Sequence, residues 1–135
     1  MTKQVVPVDG ALQYEPFGFT NCVRYGDVLW LSGISALDTS GHVLADDIES
    51  QTRHTFDNIE RVLRAGGSSL SHLLQMTSFV VDMPKNGQGY VNTRKATAPR
   101  AHLYERDDRR LRAHDPRPPA RGAVPCSSVG LSSDG

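Results

Sequence analysis

The chain predicts an α/β fold, an α+β sandwich in which a sheet carries helix on one face, and three observations lead there. A short apolar run, Val28-Leu29-Trp30-Leu31, follows the turn pair Gly26-Asp27. From Asp46 the apolar spacing changes from strand-like to steps of three and four, and from Gln75 to Val81 it returns to a strand. Strand, crossover helix and strand in that order make a sheet layer with an amphipathic helix packed on it.

The elements follow in order along the chain. Val28 to Leu31 is continuous and rich in strand formers, so it reads as a buried strand, which Gly26-Asp27 links as a hairpin to Phe19 to Arg24. Asp38-Thr39-Ser40-Gly41 is turn chemistry, and His42 to Ala45 follows it as an edge-like segment. Ile48, Thr52, Thr55, Phe56, Ile59, Val62 and Leu63 fall on one helix face, predicting a helix from about Asp47 to Ala65. Asp46, Asp47 and Glu49 place negative charge at its start and Arg61 and Arg64 place positive charge at its end, as the helix dipole favours. Gly66-Gly67 stops it, because glycine accepts the left-handed conformation of a C-cap. Ser68 to Leu73 reads as a short helical turn. Gly87 to Ala98 carries a poor helical signal, since Gly87, Gly89, Val91, Asn92 and Thr93 are weak formers.

Composition narrows the function classes. At 135 residues the chain fits one domain, and no repeat is visible. Lys plus Arg equals Asp plus Glu at 15 each, so no net field argues for nucleic acid or an anionic membrane as partner. Met1 to Pro7 has no signal-like apolar core, and no apolar run approaches the ~20 residues that a bilayer requires. The expectation is a soluble, cytoplasmic protein in which Cys22 and Cys126 are free thiols. His42, His54, His72, His102 and His114 show no metal-ligand spacing, and His54 reads as a solvent or core-margin residue of the helix.

Five short motifs stand in register between Tyr25 and Met83. They are Gly26-Asp27 with Ser32-Gly33, Asp47-Ile48 with Gln51-Thr52, Asn58-Ile59 with Val62-Leu63, Ala65-Gly66, and Thr77 and Phe79 with Asp82-Met83. This series resembles the RidA or YjgF-type reactive intermediate deaminase family over about residues 14 to 98. The resemblance implies a chorismate-mutase-like mixed sheet packed by two helices, with Gly87 to Ala98 in the place of the second. It implies a homotrimer with sites between subunits. It also implies hydrolysis of small enamine or imine acids, such as 2-aminoacrylate, to 2-oxo acids and ammonia, with no metal or cofactor.

Residues 99–135 differ in character from residues 1–98. They hold seven Arg and no Lys, five of the eight Pro, and no Ile, Phe, Trp or Met. Pro116, Pro118 and Pro119 oppose a central strand or continuous helix where the family places its last two strands, which leaves the C-terminal strands in doubt. Two readings stay open for this atypical tail: a disordered segment, which mixed charge with Pro, Ser and Gly supports, and out-of-frame translation of a GC-rich gene. Suitable codons for His102 to Val124, read one nucleotide later, spell two strand-like stretches around a Thr-Pro-Asp turn, similar to the family's terminal hairpin. Replacement of that hairpin predicts an open apolar face around Ile59 and Leu63.

The candidate site residues come from the same resemblance. Ser32-Gly33 matches the family's Ser-Gly after the second strand, where a small residue lets backbone approach a ligand; the alternative is that Gly33 only permits a tight strand exit. Phe19 falls where many members carry a pocket tyrosine, so ring packing would survive and the hydroxyl be lost; the alternative, a core aromatic, needs no functional explanation. Asn92 stands in loose alignment near an asparagine of the family's second helix; the alternative is an exposed helix or loop residue. The deaminating members hold the substrate carboxylate with the Arg of a Pro-x-Arg motif, whose fork pairs bidentately. Here Pro99-Arg100 lacks the intervening residue and Pro119-Ala120-Arg121 comes late, so Arg100 is the catalytic candidate with an imperfect motif. Arg106-Asp107-Asp108-Arg109-Arg110 interleaves acids with its bases and has no RNA-binding aromatic motif beside it. Two functions follow: a cofactor-independent imine deaminase acting on a small enamine or imine acid, or a non-catalytic binding or interaction member, or inactive product, that lacks the carboxylate-binding Arg.

Overall fold

The Gly26-Asp27 pair makes the first turn of the sheet. In the computed structural model, which describes residues 1–98, 104–105 and 126–132, β1 (Lys3–Val5) pairs antiparallel with β2 (Cys22–Tyr25), which pairs with β3 (Val28–Ile34). Tyr25 faces Val28 across the two-residue loop, and of the two loop residues only Gly26 has positive φ, at 59°. A positive φ confined to the first central position is the type II′ hairpin pattern that glycine suits. Phe19 lies before β2 rather than in it, because the strand begins at Cys22.

The sheet holds six strands in the order β1-β2-β3-β6-β4-β5. Strand β4 (Leu73–Phe79) belongs to the middle of the chain, whereas β5 (Tyr104–Glu105) and β6 (Cys126–Ser132) come from the Arg- and Pro-rich stretch. Strand β6 runs antiparallel to both β3 and β4 and joins them. The doubt over the C-terminal strands is resolved for these two segments: the central strand lies beyond Pro116, Pro118 and Pro119, so their missing donors do not fall in its ladder. The rest of 99–135, and with it the reading as a disordered or frame-shifted tail, lies outside the described residues.

Helix α1 (Ile48–Ala65) lies on one face of this sheet. Its Phe56, Ile59, Val62 and Leu63 join Leu29, Leu31, Ile34, Leu73 and Met76 in one buried cluster. Ile59 and Leu63 are fully buried, so the open apolar face expected around them is not present. Asp47 caps the helix, with Oδ1 accepting the Ser50 N–H at 2.8 Å. At the other end Gly66 is the C-cap with φ −85° and Gly67 takes φ +75°. Ser68 N–H reaches the Leu63 carbonyl at 2.8 Å and Gly67 N–H the Arg64 carbonyl at 2.9 Å, which together form a Schellman motif. The two glycines therefore serve different needs. Gly67 supplies the left-handed backbone, and Gly66 lets the helix end approach β3, since a Cβ there would lie 2.4 Å from Leu29 Cδ1.

The short helical turn is present, and the expectations for β4, the second helix and the Val28 to Leu31 run shift. A 3-10 turn covers Leu70–His72. Strand β4 covers Leu73–Phe79 rather than 75–81, because Val80 and Val81 belong to the link into the next helix, where Asn86 Nδ2 donates to the Val81 carbonyl at 2.8 Å. That helix, α2 (Met83–Thr97), begins four residues before Gly87, with Pro84 in its first turn. Its weak formers follow from packing: a Cβ on Gly89 would lie 2.6 Å from Glu49 Oε1 and 2.9 Å from Ile48 Cγ2, so glycine is what allows α2 to meet α1. The run Val28 to Leu31 is not buried on both sides either, for Leu29 and Leu31 face α1 while Trp30 is 58% exposed on the opposite face.

Two predictions follow from the ends of α1. Gly67→Ala places an L side chain at positive φ and is expected to cost about 1–2 kcal/mol in chemical denaturation. Gly66→Ala instead overpacks against Leu29, costing about 1–3 kcal/mol. A double-mutant cycle with Leu29→Ala separates them, showing coupling for Gly66 and none for Gly67. At the N-terminus, the Ser50 N–H hydrogen bond holds the Asp47 carboxyl below its ordinary value of 3.8. A lowered folded pKa contributes stability that is present above the unfolded value and lost as pH falls through the folded one. Asp47→Ala should therefore lower the melting temperature at pH 7 and make progressively less difference below pH 4, while Asp47→Ser, which caps without titrating, should hold its stability across that window.

Candidate functional site

With both α-helices on one face, the other face of the sheet is covered, among the described elements, only by the loop that holds the 3-10 turn Glu15–Phe17. A hollow of about 530 Å³ opens on this side. Lys3 of β1, Val23 of β2 and Ser32 of β3 form its sheet wall, and Glu15, Gly18, Phe19 and Thr20 form the facing loop. Register explains the sheet wall. Lys3 pairs with Tyr25, two residues on from Val23, so both point away from the face on which Cys22 is buried.

The loop is held by its own packing. A 3-10 turn at Glu15–Phe17 ends on Gly18 at φ +83°, which reverses the chain toward Phe19. Tyr14 and Phe19 stack with ring centroids 4.8 Å apart, and Tyr14 OH donates to the Gly33 carbonyl at 2.9 Å. That bond ties the loop to β3 where the β3–β6 register shifts between Leu31 and Ile34. A bulge of this kind re-aims side chains at a sheet edge or site. Ser32 Oγ donates to the Thr20 carbonyl and Ser32 N–H donates to the Asn21 carbonyl at 3.0 Å, so the end of the loop is stitched to β3 beside the hollow.

The predicted site residues separate into groups. Phe19 and Ser32 line the hollow together, and Phe19, at 51% exposed, is no core aromatic. Gly33 lies beside it, and its carbonyl anchors Tyr14. Asn92 is exposed on α2 and accepts from Gln88 Nε2 at 2.8 Å, away from the hollow's lining. Arg100 lies outside the described residues. Lys3, Glu15 and Thr20 were not legible as site residues, since they belong to no motif and only the register of β1 and the turn at Gly18 bring them to the same hollow.

Other titratable groups serve the scaffold. Burial pushes the Cys22 thiol up to about 11, so it stays protonated and unreactive near neutrality. Asn58 Nδ2 donates to the Ser35 and Leu37 carbonyls at 2.9 Å each, fixing the chain that leaves β3. Asp38 accepts the Ser40 and His42 N–H groups at 2.8 and 2.9 Å in the turn that follows, and the His42 backbone bond is the main cause holding its carboxyl below the ordinary value. Among the described residues no cluster of His, Cys, Asp and Glu could hold a metal, and no helix is long and apolar enough to cross a membrane.

Comparison with known proteins bears on the whole arrangement. The family model described as Endoribonuclease L-PSP matches residues 14–133, extending through β6. A RutC family protein of Pyrococcus horikoshii is 30% identical over 83 residues, which cover 60% of this chain and 64% of that protein, so the match spans under two thirds of the relative's length. Among solved structures, RidA from the Antarctic bacterium Psychrobacter sp. PAMC 21119 superposes with a TM-score of 0.75 at 18% identity, covering 96% of this chain and 99% of that one. Yeast Mmf1 superposes with a TM-score of 0.74 at 14% identity, covering 98% and 100%. At these identities the structures are similar in fold.

Proposed function

This chain belongs to the Endoribonuclease L-PSP family, that of the RidA and YjgF proteins, and from that membership we propose that it acts as a hydrolase on small enamine or imine acids. In the reaction water adds to the imine carbon and the C–N bond breaks, giving a 2-oxo acid and ammonia. The observation that supports this most directly is the hollow itself. It brings Phe19 and Ser32, which the family motifs mark, to one concave surface with polar groups of both donor and acceptor kind. Such a site can orient a small substrate at an open, water-accessible surface, where the attacking water is at hand and no cofactor takes part. We place the protein in the cytoplasm.

The helix-free face supports a homotrimer. Trp30 and Val5 are each 58% exposed there, Tyr25 48% and Phe79 41%. Val5, Tyr25 and Trp30 lie on neighbouring strands, and an exposed apolar patch of this kind on a sheet is covered in a stable assembly; further copies of this chain are the occupant proposed. The hollow lies at the edge of that face, where Lys3 and Val23 neighbour Val5 and Tyr25. A second reading, in which the chain binds such acids without turning them over, is favoured by the imperfect Pro-x-Arg motif at Arg100.

Two measurements test these readings. Coupled to a dehydratase that releases 2-aminoacrylate, the protein should raise ammonia release above the spontaneous rate, and Ser32→Ala and Phe19→Ala should each lower it. Release at the spontaneous rate would leave the binding reading, and loss of activity in Arg100→Ala would make Arg100 the carboxylate clamp. By analytical ultracentrifugation the chain should sediment as a trimer, with Trp30→Arg shifting it to monomer.

A further inference from the structure

The hollow carries charge of both signs, and the family motifs account for neither. Lys3 stands on its sheet wall and Glu15 on its loop wall. Among the described residues no ion pair joins the two, so each side chain keeps its hydrogen-bonding capacity for a ligand. Ser32 adds a third constraint. Its hydroxyl proton is committed to the Thr20 carbonyl, so towards a ligand Ser32 presents lone pairs and accepts. One wall thus offers an ammonium donor, while Glu15 and Ser32 offer acceptors.

A hollow polarised in this way discriminates by charge pattern. An anion gains at Lys3 but meets Glu15, and a cation gains at Glu15 but meets Lys3, so either one alone sets an attraction against a repulsion. A molecule with a carboxylate and a cationic nitrogen on the same carbon satisfies both. We propose that Lys3 and Glu15 select a small zwitterion, with the Lys3 ammonium on the carboxylate and the Glu15 carboxylate on the protonated nitrogen. The inference rests on the deaminase reading in one respect, that the protonated imine of a 2-imino acid has this charge pattern. It assigns the carboxylate to a lysine from the start of the chain and makes the ligand's nitrogen, as well as its carboxylate, a recognised group.

Binding of an unreactive zwitterion separates this proposal from catalysis. The full-length protein would be titrated with L-alanine, with propanoate as the anion-only probe and ethylamine as the cation-only probe, each followed by ligand-observed NMR. L-alanine should bind at least roughly threefold more tightly than either single-charge probe, the modest size reflecting two exposed charge contacts. Lys3→Met should remove the preference over ethylamine and Glu15→Gln the preference over propanoate. The exchange variant Lys3→Glu with Glu15→Lys should bind L-alanine better than either single reversal does. Both side chains are exposed, so these variants should keep the wild-type melting temperature. Equal binding of all three probes, or L-alanine binding that is unchanged in both single variants, would overturn the proposal. Charge-dependent binding without ammonia release would uphold it and remove the deaminase reading, and ammonia release insensitive to both substitutions would do the reverse.

Discussion

Pairing of the seven residues Cys126–Ser132 on both edges holds the molecule together. Strand β6 is the only described link between the β1-β2-β3 meander and β4-β5. Without it β3 and β4 present unpaired edges to solvent, and the buried cluster divides between Leu29 and Leu31 on one side and Leu73 and Met76 on the other. The pairing is also remote in sequence, since Val28 meets Ser132 and Leu73 meets Leu131. Contacts of such separation must meet the loop-closure entropy before they stabilise anything, so this strand is expected to close the sheet late in folding.

The candidate site inherits its shape from that closure. The β3–β6 ladder slips between Leu31 and Ile34, and Ser32 and Gly33 lie in the slip. The Gly33 carbonyl there accepts from Tyr14 OH, while the Ser32 hydroxyl donates to the Thr20 carbonyl and the Ser32 N–H to the Asn21 carbonyl on the β2 side. Those bonds hold the loop that carries Glu15 beside the strands that carry Lys3 and Val23, so that all three line one hollow. The glycine of the Ser-Gly motif thus acts through its carbonyl, on the loop, as well as by being small.

Much of this was legible along the first hundred residues. Helix α1 was found to within a residue because period, caps and charges all agree over Asp47 to Gly67. The hairpin turn was legible in Gly26-Asp27. Legibility failed where a third element decides the outcome. Gly89 weakens α2 locally but lets it touch Ile48 and Glu49, and Trp30 looks like core until the sheet proves bare on its side. The central strand failed most completely, because the prolines before it dominate the local composition while Ser, Gly and Val of β6 carry little strand signal of their own. Within the site, Phe19 and Ser32 were visible through motifs, whereas Lys3 and Glu15 depend on strand register and one turn, which no local pattern announces.

Hydrogen exchange on the full-length chain tests the central strand most directly. With β6 in place, the amides of Val28–Ile34, Leu73–Phe79 and Cys126–Ser132 belong to one cooperative unit and should exchange together, at protection close to that of α1. Protection of Cys126–Ser132 that tracks the other two segments as denaturant is added would support the account. Free-peptide exchange at Cys126–Ser132, while Val28–Ile34 and Leu73–Phe79 stay protected, would contradict it.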